Sequence, residues 1–337
     1  MHALRYLLAC YPGLLVIAGN LIGGWSTWLN VANSTVVMIA VEYWTGREDR
    51  EENHLDETMP NAVLVAQAVL HTCAIVSLIV GVALGIVSGW FVVGAALSTG
   101  FFAGQNGIVN AHELIHRKQA GFRWLGIWNL LLVNYGHFYV EHIRGHHKYV
   151  GTPRDPATAR YGETVYAFWV RTVPQQFRSA WQLEAERLHK LNMPAFHYDN
   201  IVLRCVVAQV VLSTLVLAVS GWMGLVAYWL CSALAVSMLE YVNYIEHYGL
   251  VRHAGERVAA QHSWQSDLTF SRFTLIELSR HADHHFLASK PYHTLVSHAD
   301  SPVLPGGYFS LFYRVMIPPL WFRAVHPILD RMNQPRA

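Results

Sequence analysis

Charge is what this sequence has least of. Only 14% of its 337 residues are Asp, Glu, Lys or Arg, against about 25% in an ordinary soluble domain. That shortage excludes a disordered chain and a water-soluble enzyme of the usual kind. The net charge of +2 is too small to attract an anionic polymer, so no nucleic-acid partner is expected. Cysteine is equally uninformative. Cys10, Cys73, Cys205 and Cys231 lie singly in apolar runs with no C-x-x-C pair, which excludes a zinc ribbon, a rubredoxin site or an iron–sulfur cluster. No G-x-G-x-x-G stands before a helix, so neither a bound flavin nor a nicotinamide is expected. The N-terminus has no basic region and cleavage site ahead of its apolar run, and that run is expected to be a retained span.

Present instead are long charge-free stretches and histidine. Tyr6 to Val41, Thr58 to His112 and Cys205 to Leu239 contain no Asp, Glu, Lys or Arg. Each is well over the ~20 residues of one membrane-crossing helix. Each also carries a place to turn: Gly23-Gly24, Gly85 with Gly89, and Ser220-Gly221. The fold class is therefore all-α, an integral membrane bundle of about six helices, with spans near 4–22, 26–45, 62–81, 86–107, 201–220 and 222–245. The charged segment 46–57 is a loop. Trp124 to Val140 is too short to cross comfortably and reads as re-entrant or interfacial. Nothing repeats and no linker intervenes, so residues 1–337 form a single domain. Arg117, Lys118, Arg123, Arg144, Lys148, Arg154, Arg160, Arg171 and Arg178 concentrate between spans four and five. The positive-inside rule then places 108–200 and 246–337 in the cytoplasm.

Histidine numbers 20, nearly equal to the 22 acidic residues. Nine of them fall in four clusters: His112 and His116; His142, His146 and His147; His247; and His281, His284 and His285. Spacings of three and four residues put imidazoles on one helix face. All four clusters follow span ends on the same side of the membrane. Nine ligands exceed what one ion accepts, so two metal ions are expected, and imidazole alone does not choose among iron, copper, zinc and nickel. Glu113, Glu141, Glu246 and Asp283 neighbour these ligands in sequence, and His137 precedes the second cluster. All five are candidates to orient a ligand through its second ring nitrogen. The other ten histidines, His54 and His71 among them, read mostly as exposed or hydrogen-bonded residues.

The strings HELIHR (112–117), EHIRGHH (141–147), NYIEHYGL (243–250) and RHADHH (280–285) resemble the histidine motifs of bacterial membrane-bound alkane monooxygenases. That group lies within the histidine-rich membrane desaturase and hydroxylase superfamily. Thr152-Pro-Arg-Asp-Pro-Ala157 and Pro318-Pro-Leu-Trp-Phe322 add to the likeness. The resemblance implies a non-haem di-iron centre, without haem, that places one oxygen atom of O₂ on the terminal carbon of an apolar alkane. It also implies electrons from rubredoxin and an NAD(P)H-dependent rubredoxin reductase, and a place in the bacterial inner membrane. Related membrane oxygenases or desaturases acting on alkyl-aromatic methyl groups or fatty acyl chains carry similar boxes. A membrane metal transporter is the reading from another class.

Overall fold

The computed structural model describes residues 2–48, 56–253 and 255–332. His54 and most of the charged segment expected as a loop lie outside them. The described residues are helical, joined by turns, with isolated β-bridges such as Arg47–Leu268 in place of a sheet. Helix α1 is Leu4–Ile22 and α3 is Thr58–Ala83; α4 is Phe91–His116. An apolar run in lipid has only its own backbone to satisfy its N–H and C=O groups, so it winds into helix.

Between α1 and α3, residues 24–45 form α2, which changes winding three times. It runs 3₁₀ over Gly24–Trp28, α over Leu29–Ala32, π over Asn33–Val37 and α again over Met38–Thr45. Its polar side chains account for the irregularity. The Asn30 amide donates to the Ser98 carbonyl at 2.8 Å, Asn33 donates to Asn30, and Ser34 donates to Gln105. Similar ties bind α1 to its neighbours, with Asn20 donating to Ser77 at 3.0 Å and to Thr99 at 3.2 Å.

Among the described residues, four helices are long and apolar enough to cross a membrane, the longest being Ile201–His247. That helix is two. At Gly221 the backbone takes φ 64° and ψ −169°, a region open essentially to glycine alone. The chain folds back there, because the Trp229 indole N–H reaches the Ser213 hydroxyl at 3.4 Å. In a straight helix those residues would stand about 24 Å apart. The arms are α8 (201–220), capped by the Asn200 side chain accepting from the Leu203 N–H, and α9 (222–247). Gly23 makes the same kind of corner, with φ 77° and ψ −168°.

Helix α5 (Ala120–Leu131) and helix α6 (138–149) make a hairpin that enters between these arms and turns back. At its tip Asn134 donates to Ser232 at 3.0 Å, the Tyr135 hydroxyl donates to Glu240 at 2.9 Å, and Gly136 packs on Cys205. The amphipathic α7 (Val165–Lys190) covers it, burying Phe168, Thr172, Gln176, Ala180 and Glu184 along one stripe. The remaining helices, α10 (Thr269–Thr274), α11 (His281–Phe286), α12 (Phe312–Met316) and α13 (Pro318–Met332), close the same end of the bundle.

The Gly221 corner gives a direct test. Gly221→Ala should lower stability by about 1–3 kcal/mol, read as a reduced midpoint of thermal unfolding in detergent. The carbon added at Gly221 meets nothing within 4 Å, so the loss reports backbone strain and not a steric clash.

Candidate metal centre

All nine clustered histidines meet at one end of the bundle, in two groups. His112, His116, His142, His147 and His284 form one; His146, His247, His281 and His285 form the other. In each group the candidate ligand atoms lie within 4.8 Å of one another. The groups abut, with the rings of His147 and His285 4.6 Å apart.

The division does not follow the clusters. His112 and His116, one α-turn apart on α4, do share a group, as their spacing suggests. In α6 the spacing misleads. Glu141–His146 is wound as a π-helix, in which residues five apart, not four, come into line. His142 and His147 therefore share a group while His146 faces the other. In α11 the α-helical spacing returns, and His281 pairs with His285 while His284 crosses to the five-membered group. A second π-segment, Ala103–Ile108, lies within α4 just before its ligands. The helix continues unbroken through His116, so its two histidines ride on a span helix instead of following its end.

The donor geometry fits metal ions. The Nε2 atoms of His116, His142 and His147 stand 3.0–3.2 Å apart, and that of His284 is 3.1 Å from His147. In the second group His146–His285, His247–His281 and His281–His285 are separated by 3.2, 3.2 and 2.9 Å. Two ligands bonded at about 2.1 Å and subtending a right angle would be ~3.0 Å apart. The Nε2 of His112 is buried with no hydrogen-bond partner. Burial, reinforced by neighbouring imidazoles, holds His142, His147, His281, His284 and His285 well below the ordinary histidine range. They are neutral at pH 7, the state that ligates a metal.

His146 behaves differently. Burial disfavours its charge, but the Asp155 carboxylate, 2.9 Å from Nδ1, outweighs burial and raises it above the usual range. Asp155 is itself held below the carboxylate range: burial opposes ionisation, and His146 with the Thr158 hydroxyl at 2.6 Å overcomes it. This contact fixes which nitrogen of His146 carries the proton and leaves Nε2 for a metal. Asp155 was not among the carboxylates expected here. Its signal was the Thr152–Ala157 string, where its carboxylate also caps the Ala157 N–H at 3.1 Å. His247 is oriented by a backbone group, its Nδ1 lying 3.3 Å from the His262 carbonyl.

The five expected orienting groups fare unequally. Glu246 accepts from the Tyr308 hydroxyl at 2.7 Å and has its other oxygen 3.2 Å from His281 Nε2. It thus stands on the Nε2 side of that ring, beside the candidate ligand atom, not behind it. Glu113 pairs with Arg117 at 2.9 Å and accepts from the Tyr292 N–H. Asp283 accepts from Lys290, His298 and the Val296 N–H, pinning the segment after α11. Glu141 packs against Gly145; burial pushes it up to about 7 against a pull from Ser179. His137 lies between the rings of Tyr135 and Phe177. None of these last four hydrogen-bonds a clustered imidazole: Glu113 and Asp283 are held by nearer partners, and Nε2 of His137 is buried without one.

The start of α11 is set by a strained corner. Ile276 and Glu277 both have positive φ, 44° and 58°, a cost of order 1–3 kcal/mol each. Buried Glu277 receives Arg272 through two nitrogens at 2.8 and 2.9 Å and the Tyr6 hydroxyl at 3.0 Å. Arg280 reaches Asp267 at 3.3 Å and the Leu295 carbonyl at 2.6 Å. These bonds hold the corner immediately before His281.

Asp155→Asn should keep the fold and lower metal affinity about 10- to 100-fold, measured by metal retention against a graded chelator. Unchanged retention would show that His146 needs no carboxylate.

The chain can now be set beside known proteins. It is 40% identical over 245 residues to alkane 1-monooxygenase 1 of Pseudomonas aeruginosa, covering 71% of this chain and 64% of that protein. With the alkane 1-monooxygenase of Pseudomonas putida it shares 42% over 242 residues, 70% of this chain and 60% of the relative. The xylene/toluene monooxygenase hydroxylase component of Pseudomonas putida is 30% identical over 239 residues, 69% of this chain and 63% of that one. The aligned region is thus under two thirds of each relative's length. The family profile described as fatty acid desaturase matches residues 88–326, a stretch that holds all nine histidines, and the chain belongs to that family.

Proposed function

We propose that this protein is a membrane alkane 1-monooxygenase, converting a terminal C–H bond to a primary alcohol with O₂ at a di-iron centre. One observation carries the reading: two abutting groups of five and four imidazoles, in a chain whose aligned relatives are named alkane 1-monooxygenases. The balance is RH + O₂ + 2e⁻ + 2H⁺ → ROH + H₂O. Bound iron would supply O₂ activation, with the nine histidines as ligands. The chain's own residues do the rest. Asp155 and the His262 carbonyl orient two ligand rings, and the Glu246–Tyr308 pair borders the second group.

Tyr308 also lines a narrow apolar cavity of about 30 Å³, between Phe101, Val109, Met238, Leu275 and Phe312. Val109 stands one helical turn before His112. A space of that size holds little more than a methyl group or a single water, so a chain end is admitted as the walls part. An alkane has no polar handle, and selection by such walls is worth about 1–3 kcal/mol per methylene. Methyl groups on aromatic rings are the second reading, favoured by the likeness to the xylene/toluene enzyme.

We read six passes, counting α2 and both arms of the Gly221 hairpin, in the bacterial inner membrane with the histidine end toward the cytoplasm. The chain carries neither a nucleotide fingerprint nor a cysteine cluster. In this reading, as the likeness to alkane monooxygenases implies, the two electrons come from a rubredoxin reduced by its NAD(P)H-dependent reductase. The basic segment 117–178 is the docking surface in this reading, though not all of it is available. Arg171 is committed to Glu163 and to the Pro156 and Thr158 carbonyls, Arg144 to Glu184, and Arg117 to Glu113. Lys118, Lys148 and Arg154 are exposed and flank the half-exposed ligands His116 and His147.

Purified protein should contain two irons per chain, and ¹⁸O₂ with a medium-chain alkane should give ¹⁸O-labelled primary alcohol, lost in His281→Ala. An alkene product, or oxygen from water, overturns the reaction. Lys148→Glu with Arg154→Glu should slow rubredoxin-supported turnover severalfold and flatten its salt dependence, sparing turnover with a small chemical reductant. An unchanged rate and salt dependence would place docking elsewhere.

A further inference from the structure

A second cavity lies apart from the one beside Tyr308. It is a groove of about 460 Å³ on the outer side of the bundle, between α7 and the two arms of the Gly221 hairpin. Its walls include Val210, Leu217, Leu225 and Trp229, and Val210 and Trp229 are 60% and 50% exposed. On a bundle read as spanning a bilayer, that mouth faces lipid.

The inner end is polar. The His137 ring lines it, and Nε2 of that ring is buried with no hydrogen-bond partner. Gln209, also on the wall, has no side-chain hydrogen bond among the described residues. It is the ninth residue of α8, about 12 Å along that helix. Two polar side chains left unmatched inside a hydrocarbon-facing groove are costly, unless something completes them. Phe177 lies edge-on to the His137 ring at 5.2 Å and is 38% exposed, so it is the side chain that must swing to open the ring to a ligand.

We propose that this groove binds a single-chain amphiphile with a neutral hydroxyl head, and specifically the primary alcohol product. The hydroxyl sits against His137 and Gln209, and the chain lies along Leu217 and Leu225 toward Trp229. The lining holds no Lys, Arg, Asp or Glu, so a phosphate or carboxylate head finds no counter-charge. An alkane would leave both polar groups unpaired. A hydroxyl donates and accepts, and suits an imidazole and an amide together. The groove also backs onto the metal centre, since Phe138, next to His137, stacks on the His142 ring at 4.8 Å. Naming the alcohol as the product rests on the hydroxylase reading; the hydroxyl specificity of the groove does not.

The test is photolabelling of the metal-loaded full chain in lipid nanodiscs with a diazirine-bearing primary alcohol of dodecyl length. Label should appear in the peptide spanning 206–217. Unlabelled 1-dodecanol should compete, and dodecane and dodecanoate should not. Gln209→Leu and His137→Leu should each cut labelling about tenfold, the loss of one hydrogen bond, with metal content and unfolding midpoint unchanged. Gln209 is partly exposed on the lipid side, so its variant keeps the test sound if His137→Leu fails to fold. Equal labelling in Gln209→Leu, or competition by dodecane as strong as by dodecanol, overturns the proposal. Labelling needs no turnover. A chain that makes alcohol but does not label refutes the groove alone, and one that labels without hydroxylating refutes only the reaction.

Discussion

Nine imidazoles are brought together in one buried end of the bundle, and most of the architecture follows from that constraint. Protonated, they would repel one another in a poorly screened interior; neutral, they present lone pairs that converge on two points. Burial disfavours the charged form, and at His146 the Asp155 carboxylate outweighs burial. The convergence comes from four chain segments, α4, α6, the end of α9 and α11, that are separated by as many as 172 residues at the His112–His284 contact. Three of the four segments have an anchor of their own. For α6 it is Asp155, for α9 the His262 carbonyl, and for α11 the Arg272–Glu277 corner with its two left-handed residues.

These anchors are polar groups in a chain with few to spare. Glu277, Glu42, Glu240 and Asp155 are all essentially buried, and each is surrounded by donors: Arg272 and Tyr6 for Glu277, Ser310 and Ser271 for Glu42, Tyr135 and Gln176 for Glu240. A buried carboxylate with full hydrogen bonding specifies one arrangement of the segments that meet at it, and leaving it unpaired would cost several kcal/mol. Charge thus does two separate jobs here. Outside, Lys118 and Lys148 stand exposed beside the half-exposed His116 and His147 in the chain; inside, a few buried carboxylates tie segments of the bundle together.

The π-helical segments show where pattern reading reaches its limit. The spacing of His142 and His146 announces one shared face, and the structure sends them to different groups because one extra residue per turn is wound into α6. Nothing in the Glu141–His147 string reveals that winding. The irregular course of α2 is similar: the run reads as one apolar span, while Asn30, Asn33 and Ser34 bend it through bonds to α4 that are formed only in the packed bundle. Glu113 and Asp283 fail as orienting groups for a related reason. Sequence adjacency to a ligand says nothing about which partner a carboxylate reaches, and Arg117 and Lys290 lie nearer.

By itself the sequence determined the helical membrane class, the places where the runs turn and the identity of all nine clustered histidines. Those properties are local: hydrocarbon forces an apolar run to satisfy its own backbone, glycine alone relaxes the corner at Gly221, and imidazoles at helical spacing announce themselves. Only the tertiary structure decided how the nine divide into five and four, that Asp155 stands behind His146, and that Glu246 turns toward Nε2 of His281. Those depend on relative rotation and depth of segments remote in the chain, which are set by packing and by buried hydrogen bonds that exist only once the bundle has closed.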